Sequence, residues 1–184
     1  MKKTQPDLKR ILLIGSGGAG KSTLSKKLGE LWMLPVVHLD KLFWQPGWQP
    51  LPRPEFIDEV KIELSKPEWI IDGNYDSSIK LRAEHADLII FLDYSNVLCV
   101  YRACKRAWIN RGTTRSDMGE GCPEKIDWEF VRWIWRFRKD ARPNILKELE
   151  KCNAEVLSFK SPRELEQWIT NQSKNVKSKS PMVG

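Results

Sequence analysis

The sequence predicts an α/β protein with a mostly parallel β-sheet. Five apolar runs of strand length recur along the 184 residues, and helical patterns separate them. This alternation is typical of parallel sheets, because each crossover to a parallel neighbour needs a helix. The fourth run is continuously apolar, which suits a strand covered on both faces. In order, the runs are ILLIG, PVVHLD, EWIID, DLIIFLD and AEVLSF.

The segments between the predicted strands carry amphipathic helical patterns. Apolar residues recur at three- and four-residue spacing after the first strand and again after the second, so each segment has one face for the core. Pro54 suits the first turn of a helix, and Ser95 is placed to cap another. The apolar faces comprise Leu24, Leu28 and Leu31 in the first helix and Phe56, Val60 and Leu64 in the next.

The C-terminal part of the chain predicts a short closing helix and a tail. Residues 161–164 form a capping box, SPRE, with proline at the first helical position. We expect this helix to run from Pro162 to about Thr170. Residues 171–184 are polar, basic and aperiodic, which predicts a disordered tail. Residues 1–170 would then form one domain.

Composition excludes several classes of protein. The chain is 41% hydrophobic and 30% charged, and no apolar run approaches the roughly 18 residues that a membrane span needs. The short N-terminal apolar run does not suit a signal peptide, which favours the cytoplasm. The four cysteines lack a C-x-x-C spacing and are expected to be reduced, with no zinc site.

The net charge of +7 is concentrated in the C-terminal half. It indicates either solvated helix faces or a cationic cleft for an anionic substrate.

A glycine-rich stretch joins the first predicted strand to the first helix. Residues 15–22, GSGGAGKS, satisfy G-x-x-x-x-G-K-[ST], the P-loop pattern. Small residues let backbone N–H groups converge on phosphate oxygens, the lysine reaches the β and γ phosphates, and the serine hydroxyl binds Mg²⁺. The pattern predicts that a nucleoside triphosphate contacts Gly15, Ser16, Gly17, Gly18, Ala19, Gly20, Lys21, Ser22 and Thr23.

The metal needs a carboxylate at the end of a neighbouring strand, and two residues compete for that role. Asp72 ends the third apolar run and Asp93 ends the fourth. Either side chain also suits the common role of capping a turn. We favour Asp72 with Ser22 as metal ligands, because Gly73 and Asn74 begin a loop there.

Together, these segments resemble the topology modulation proteins, adenylate kinase-like P-loop proteins related to nucleoside monophosphate and shikimate kinases. The resemblance spans residues 11–168 and is carried by the P-loop, HLD, WIIDGNY, ADLIIFLD and the EGCPEKIDWEF stretch. It implies a three-layer α/β/α fold with a five-stranded parallel sheet in the order 2-3-1-4-5. It also implies a phosphate site at the carboxyl edge of that sheet.

The resemblance also implies a place for a phosphate acceptor. Adenylate-type kinases carry Asp-Gly-Phe-Pro-Arg after the third strand, where this chain has DGNYD at residues 72–76. The aspartate is kept, but the arginine that holds an acceptor phosphate is not. Arg82 is near enough in sequence to replace it, and Asn74 and Tyr75 would lie beside the acceptor.

Residues 38–48, HLDKLFWQPGW, follow the second strand, where such kinases bind the acceptor. Asp40 would take a proton from a substrate hydroxyl, or it caps a turn. Phe43, Trp44 and Trp48 would stack a planar acceptor, or they form a small satellite core. His38 would contact the substrate, although a buried, hydrogen-bonded histidine is the favoured alternative.

Arginines bracket a glycine-containing loop at residues 111–124, which we interpret as a mobile lid between two helices. A closing lid brings arginines to the charge that develops in phosphoryl transfer. We favour Arg111 and Arg115 for this role over Arg102, Arg106 and the arginines of the next helix; the alternative for all of them is an ordinary surface position.

The segment after the lid interleaves aromatic residues with arginines, a pattern found on nucleic-acid-binding surfaces. Helical spacing favours a core-facing stripe instead. That stripe comprises Ile126, Phe130, Trp133, Ile134 and Phe137.

The sequence thus favours an ATP-dependent kinase that uses Mg²⁺ and an unidentified acceptor, with Lys21, Asp40, Arg111 and Arg115 as catalytic residues. The alternative is a nucleotide-dependent, DNA-binding regulator of DNA topology without kinase activity, which the net charge and basic tail favour. A signalling GTPase is disfavoured, because the chain has no N-K-x-D sequence. Oligomeric state is left open.

Overall fold

The computed structural model describes residues 8–179, and the side chains of residues 8–175. Its elements in chain order are β1 (Arg10–Gly15), α1 (Lys21–Trp32), β2 (Val36–His38), α2 (Leu39–Phe43), β3 (Trp44–Gln45), β4 (Gln49–Pro50), α3 (Arg53–Ser65), β5 (Trp69–Asp72), α4 (Asp76–His85), β6 (Leu88–Leu92), α5 (Asn96–Ile109), α6 (Trp128–Asp140), α7 (Arg142–Leu149), β7 (Glu155–Phe159) and α8 (Pro162–Lys179).

The main sheet contains five parallel strands in the order β2-β5-β1-β6-β7. Counted among these five strands alone, the order is 2-3-1-4-5, as expected. Asp72 of β5 lies in register with both Leu13 of β1 and His38 of β2. The carboxyl ends of β1, β2 and β5 therefore meet at one edge of the sheet, where the P-loop begins.

Two hydrophobic clusters cover the two faces of the sheet, which produces the three layers. Alternate residues of β1 face opposite ways, so Ile11 and Leu13 join one cluster while Leu12 and Ile14 join the other. Residues of α1, α5 and α8 cover the first face. Residues of α3, α4 and α7 cover the second, including the predicted apolar face of Phe56, Val60 and Leu64. The α/β fold class is confirmed.

The last helix is longer than the sequence predicts. It continues past Thr170 to Lys179, so the expectation of disorder from residue 171 is wrong for residues 171–179. Leu165 and Ile169 anchor the helix in the core, and Ser173 donates a hydrogen bond to the Ile169 carbonyl. Residues 180–184, the rest of the predicted tail, lie outside the described residues.

The predicted core stripe after the lid is only partly buried. Ile134 and Phe137 are core residues, but Ile126, Phe130 and Trp133 are 38–41% exposed. Ile126 precedes α6, which begins at Trp128, so helical spacing does not apply to it. The helix packs only a narrow face against its neighbours, and this leaves the rest of the stripe at the surface.

No helix within residues 8–179 is both long and apolar enough to cross a membrane.

Candidate functional site

The P-loop follows β1 and makes a tight, glycine-dependent turn into α1. Gly15, Gly18 and Gly20 have φ values of 147°, 75° and 96°, a region that favours glycine. A Cβ at Gly18 would also lie 2.2 Å from the Cys99 carbonyl oxygen. At Gly20 a Cβ would meet Arg102 Nη1 at 4.0 Å and nothing nearer, so this side of the loop has room for a ligand.

The start of α1 offers unpaired donors and a lysine. No side chain among residues 8–175 caps the helix, so the N–H groups of its first turn are available to an anion. Lys21 Nζ donates to the carbonyl oxygens of Gly15 at 2.9 Å and Ser16 at 3.0 Å. Burial lowers the pKa of Lys21, while Asp40 and Asp72 act in the opposite direction. The carbonyl groups of the P-loop thus bind the Lys21 side chain. The free N–H groups and this lysine together suit the binding of a triphosphate.

Asp72 is buried beside the first turns of α1. Its Oδ2 accepts a hydrogen bond from the Ser25 hydroxyl and lies 2.7 Å from His38 Nδ1. Ser25 is one helical turn beyond Ser22, so the Asp72 carboxylate faces the side of α1 that carries the P-loop serine. This contact also explains His38, which is buried and pairs with Asp72 instead of facing a substrate.

Asp93, the competing metal ligand, is engaged elsewhere. Arg142 donates to both of its carboxylate oxygens at 2.8 Å. Among residues 8–179 no cluster of three or more His, Cys, Asp or Glu could hold a metal alone. Mg²⁺ in nucleotide sites commonly takes one or two protein oxygens and completes its shell with phosphates and water. Ser22 and Asp72 suit that arrangement.

Asp40 and Tyr75 form a second polar centre at the same edge. Asp40 lies in the first turn of α2, not at a strand end as expected, and its Oδ1 accepts the Tyr75 hydroxyl at 2.6 Å. Burial raises the pKa of Asp40, whereas Tyr75 and Lys21 lower it. The Tyr75 ring contacts Phe43 and Phe56 at centroid distances of 4.7 and 4.9 Å. The Phe43 and Tyr75 rings therefore extend the second hydrophobic cluster, to which Phe56 belongs, and do not form a separate satellite core.

The side chain of Asn74 lies in the same loop. Both of its amide heteroatoms are buried and have no hydrogen-bond partner within the described chain.

Arg82 does not replace the missing acceptor arginine. Its side chain is fully buried, and its guanidinium donates to the carbonyls of Gly73 and Tyr75 at 2.9 Å and to the Ser78 hydroxyl at 3.0 Å. These contacts fix the loop between β5 and α4. The expectation that Arg82 binds a substrate is wrong in this structure, because the side chain faces its own loop.

Trp44 and Trp48 belong to the β3–β4 hairpin, which packs against the lid. Their ring centroids are 5.4 Å apart, and Trp48 Nε1 donates to the Pro123 carbonyl at 3.2 Å. A Cβ at Gly119 would lie 2.0 Å from the Trp44 carbonyl oxygen, which shows how closely the two segments approach. The hairpin therefore supports the lid, and both indoles are partly buried there.

Residues 111–124, the predicted lid, pack against α1 and the β3–β4 hairpin, and their acidic side chains pair with arginines of the lid itself and of α5. Arg115 lies 3.1 Å from Asp117 and 2.7 Å from Glu124, and Arg106 of α5 lies 3.2 Å from Glu124. Lys26 of α1 donates to the Ser116 hydroxyl at 2.7 Å. Arg111, one of the two predicted catalytic arginines, has an exposed side chain. Arg115 and Arg106 share Glu124, whereas Arg111 is not part of this charge cluster.

Asp117 and Glu124 were missed from the sequence. Both are buried lid carboxylates. Burial opposes ionisation of Asp117, but Arg115 and the nearby Ser22 hydroxyl hold its pKa below the usual value. The only signal in the sequence was the presence of acids beside the lid arginines, which also suits a solvated loop.

A cavity of about 390 Å³ lies between α2 and the lid. Its lining includes Lys41, Arg115, Ser116 and Met118.

Solved kinases share this architecture. A shikimate kinase from Acinetobacter baumannii, in complex with shikimate, is 15% identical with a TM-score of 0.57, over 95% of this chain and 96% of that one. A shikimate kinase from Bacteroides thetaiotaomicron is 16% identical with a TM-score of 0.57, over 92% and 99%. A deoxyadenosine kinase from M. mycoides is 14% identical with a TM-score of 0.48, over 90% and 98%.

No family model and no curated protein matches the sequence. At these identities the two shikimate kinase structures establish the fold alone, and that fold is the one of the P-loop kinases. The narrower resemblance to topology modulation proteins stays a prediction.

Proposed function

We propose that this protein is a cytoplasmic, ATP-dependent kinase that transfers the γ-phosphoryl group of Mg-ATP to a small hydroxyl-bearing acceptor. The observation that carries the proposal is the meeting of three charged groups at one sheet edge. Lys21 of the P-loop lies near enough to Asp40 and Asp72 for both carboxylates to influence its pKa, although burial has the larger effect. The residues that we propose as the phosphate-binding lysine, the metal ligand and the base would thus act close together.

The phosphate half of the site would use the P-loop and α1. Backbone N–H groups of residues 15–23 would bind the phosphates, and Lys21 would exchange its contacts with Gly15 and Ser16 for β- and γ-phosphate oxygens. Ser22 and Asp72 would hold Mg²⁺, which neutralises charge on the β and γ phosphates when bound. Ser25 and His38 would orient Asp72.

The acceptor half would use Asp40. Its carboxylate would take the hydroxyl proton while the acceptor oxygen forms a bond to the γ-phosphorus. The bond from the γ-phosphorus to the bridging oxygen breaks, and ADP leaves. Asn74, Tyr75 and the hairpin indoles of Trp44 and Trp48 would border the acceptor.

The lid would supply positive charge to the phosphoryl oxygens. Arg115 is already within the closed site, where its charge acts on Asp40. Arg111 is at the start of the lid with its side chain in solvent, so it would contribute only in another lid position.

A Lys21→Ala variant tests the proposal directly. We expect ATP affinity, measured by isothermal titration calorimetry with Mg²⁺, to fall at least about tenfold because a charge-assisted phosphate contact is lost. Lys27→Ala is the matched control, since Lys27 lies in the same helix with an exposed ion pair to Glu166. Normal ATP binding and turnover by Lys21→Ala would contradict the proposal. Screening hydroxylated metabolites and nucleosides for phosphate transfer from ATP would then identify the acceptor.

The second candidate is a nucleotide-dependent DNA-binding regulator, the alternative that the resemblance to topology modulation proteins suggests. It is favoured by one observation: Trp108 and Trp128 are 73% and 74% exposed on α5 and α6, beside basic residues such as Arg132. Aromatic and basic side chains together suit nucleic acid. Salt-dependent binding to duplex DNA, lost on removal of residues 171–184, would support this candidate, and no binding at low salt would dispose of it.

A further inference from the structure

Glu124 is a buried lid carboxylate for which the proposed reaction has no role so far. Its side chain is 7% exposed and contacts two guanidiniums from two different elements. Arg106 projects from α5 and lies 3.2 Å from Oε1, while Arg115 projects from the lid and lies 2.7 Å from Oε2. Arg106 Nε donates a hydrogen bond to Oε1 at 3.2 Å, whereas Arg115 forms an ion pair with Oε2 and donates its hydrogen bond to Asp117.

The backbone fixes the position of Glu124 independently of those arginines. Its N–H donates to the Thr113 carbonyl at 2.9 Å, and its carbonyl accepts the N–H of Gly112 at 3.0 Å. A short bridge with Arg111 joins the two ends of the lid at the same point. Glu124 is therefore a fixed anchor, and the two long arginine side chains are positioned by it.

The two guanidiniums belong to segments that border the P-loop and the candidate base. Arg115 lines the cavity between α2 and the lid together with Lys41, the residue after Asp40. Arg106 lies one helical turn beyond Arg102, whose Nη1 would be 4.0 Å from a Cβ at Gly20 of the P-loop. The γ-phosphoryl group would cross the space between the P-loop and the candidate base.

The charges explain why a carboxylate belongs there. Two guanidiniums held close together repel each other, and without a shared anion their flexible side chains would move apart into solvent. Glu124 reduces that repulsion, and because Asp117 also pairs with Arg115, the two carboxylates balance the charge of the two guanidiniums. Asp117 does not have this role, because the ion pair that it makes in the described structure is with Arg115.

We propose that Glu124 is a positioning residue that holds Arg106 and Arg115 as a pair against the equatorial oxygens of the transferring phosphoryl group, with Arg106 as a catalytic residue. The inference rests on the proposed kinase function. It assigns to Arg106 the stabilisation of the phosphoryl oxygens, the role for which the sequence favoured Arg111. The role of Glu124 would be to keep both guanidiniums in position during the transition state.

Binding measurements separate this role from a structural one. ADP with Mg²⁺ reports the ground state, whereas ADP with Mg²⁺ and aluminium fluoride mimics the planar phosphoryl group in flight. Glu124→Gln keeps the side-chain volume and loses the charge, and Glu129→Gln is the control because Glu129 is exposed at the start of α6. We expect Glu124→Gln to keep the Kd for ADP within about twofold and to weaken the fluoride complex by about 10- to 100-fold, the range for a misplaced catalytic group.

The kinetic readout is ATP hydrolysis without an acceptor, where kcat should fall with little change in KM. Arg106→Lys is the second variant, in case Glu124→Gln folds poorly. It keeps a positive charge and a long side chain at this position of α5. It should show the same selective loss, because a lysine cannot bind two oxygens in the fixed geometry of a guanidinium. Combining the two changes should cost little more than either alone.

The outcomes are distinct. If the wild-type chain binds neither ADP nor the fluoride complex, the proposed function fails and this inference falls with it. If the wild type binds both but Glu124→Gln and Arg106→Lys resemble Glu129→Gln, the kinase proposal stands and the role of Glu124 is wrong. Equal weakening of ADP and of the fluoride complex, together with a large fall in Tm, would show that Glu124 is structural and would also overturn the inference.

Discussion

Tyr75 and Asp40 are joined by a 2.6 Å hydrogen bond that determines how readily the carboxylate takes a proton. Burial raises the pKa of Asp40, and the Tyr75 hydroxyl opposes that shift because it donates to the ionised form. A base must be ionised before it can accept a proton. The activity of the site should therefore fall as the pH drops through a pKa that lies above that of an ordinary aspartate.

A Tyr75→Phe variant should move that acidic limit to higher pH. Removing the donor destabilises the carboxylate and so raises the pKa of Asp40 further. The measurement is kcat for phosphate transfer between pH 4 and 8. Tyr101→Phe, on the exposed face of α5, should leave the profile unchanged. An acidic limit that stays in place, or moves to lower pH, would show that Asp40 is not the group that titrates.

At the scale of single residues, the sequence predicts best where one residue type can do one job. Gly18 could be assigned because the close approach of the Cys99 carbonyl demands a glycine, while the assignment of Lys21 to a phosphate contact stays a prediction. Arg82, Arg106 and Glu124 could not, because their roles depend on which side chains the fold brings together. A buried arginine that holds its own loop and a substrate-binding arginine look the same in a sequence.

Among the elements, α7 is tied to the end of β6 by one ion pair. Arg142, in the first turn of α7, donates twice to the buried carboxylate of Asp93. The arginine is partly exposed while the aspartate is almost fully buried. Removing the arginine would therefore leave a buried charge without its partner.

An Arg142→Ala variant should lower the free energy of unfolding by about 2–4 kcal/mol, because the unpaired Asp93 keeps its desolvation cost. Urea denaturation followed by circular dichroism measures the change. Arg136→Ala is the control: Arg136 pairs with Asp140 on the surface of α6, and exposed pairs contribute about 0–1 kcal/mol. A similar loss of unfolding free energy in the two variants would show that the Arg142–Asp93 ion pair contributes no more than an exposed pair.

Helices and strands were predictable from the sequence where the periodic pattern was long and its apolar residues are all packed in the core. The strands and the core faces of α1 and α3 follow from it. The stripe on α6 was predicted to be buried, but a helix that lacks a neighbour on one side leaves apolar residues exposed, and local spacing does not report neighbours. The β3–β4 hairpin is too short to produce a pattern. The end of α8 was misplaced because polar helices and polar tails have similar composition.

In the whole molecule, the two hydrophobic clusters lie on opposite faces of the same sheet. We therefore expect the helices on the two faces to unfold together with the sheet in one cooperative transition. Leu28 of α1 belongs to one cluster and Val60 of α3 belongs to the other. Both side chains are fully buried.

Leu28→Ala and Val60→Ala should each destabilise the same cooperative transition. The expected losses are about 2–5 kcal/mol for the leucine and somewhat less for the smaller valine, since each change leaves a cavity. Tryptophan fluorescence and far-ultraviolet circular dichroism in urea should give coincident curves in both variants. Ile62→Ala, on the exposed side of α3, should change stability by less than about 0.5 kcal/mol. Separate transitions for the two clusters would contradict this view.

The overall architecture was predictable because strands and helices alternate, and this leaves few arrangements for a chain of this length. The order of the strands came from the resemblance alone, since alternation by itself does not determine which strands are neighbours. The meeting of β1, β2 and β5 at one edge depends on that order. The meeting of these strand ends was therefore predictable, while the pairing of the charged side chains beside them was not.

The internal pairing of these charges affects which anions the site can hold. Lys21 is bound by two carbonyls of its own loop, and Arg106 and Arg115 share Glu124. A ligand must exchange with contacts that already exist. Inorganic phosphate or sulfate can replace few of them at a time, whereas a triphosphate chain spans the loop and reaches the lysine and the lid together. If the proposed function holds, we expect the site to discriminate against the small anions that are abundant in cells.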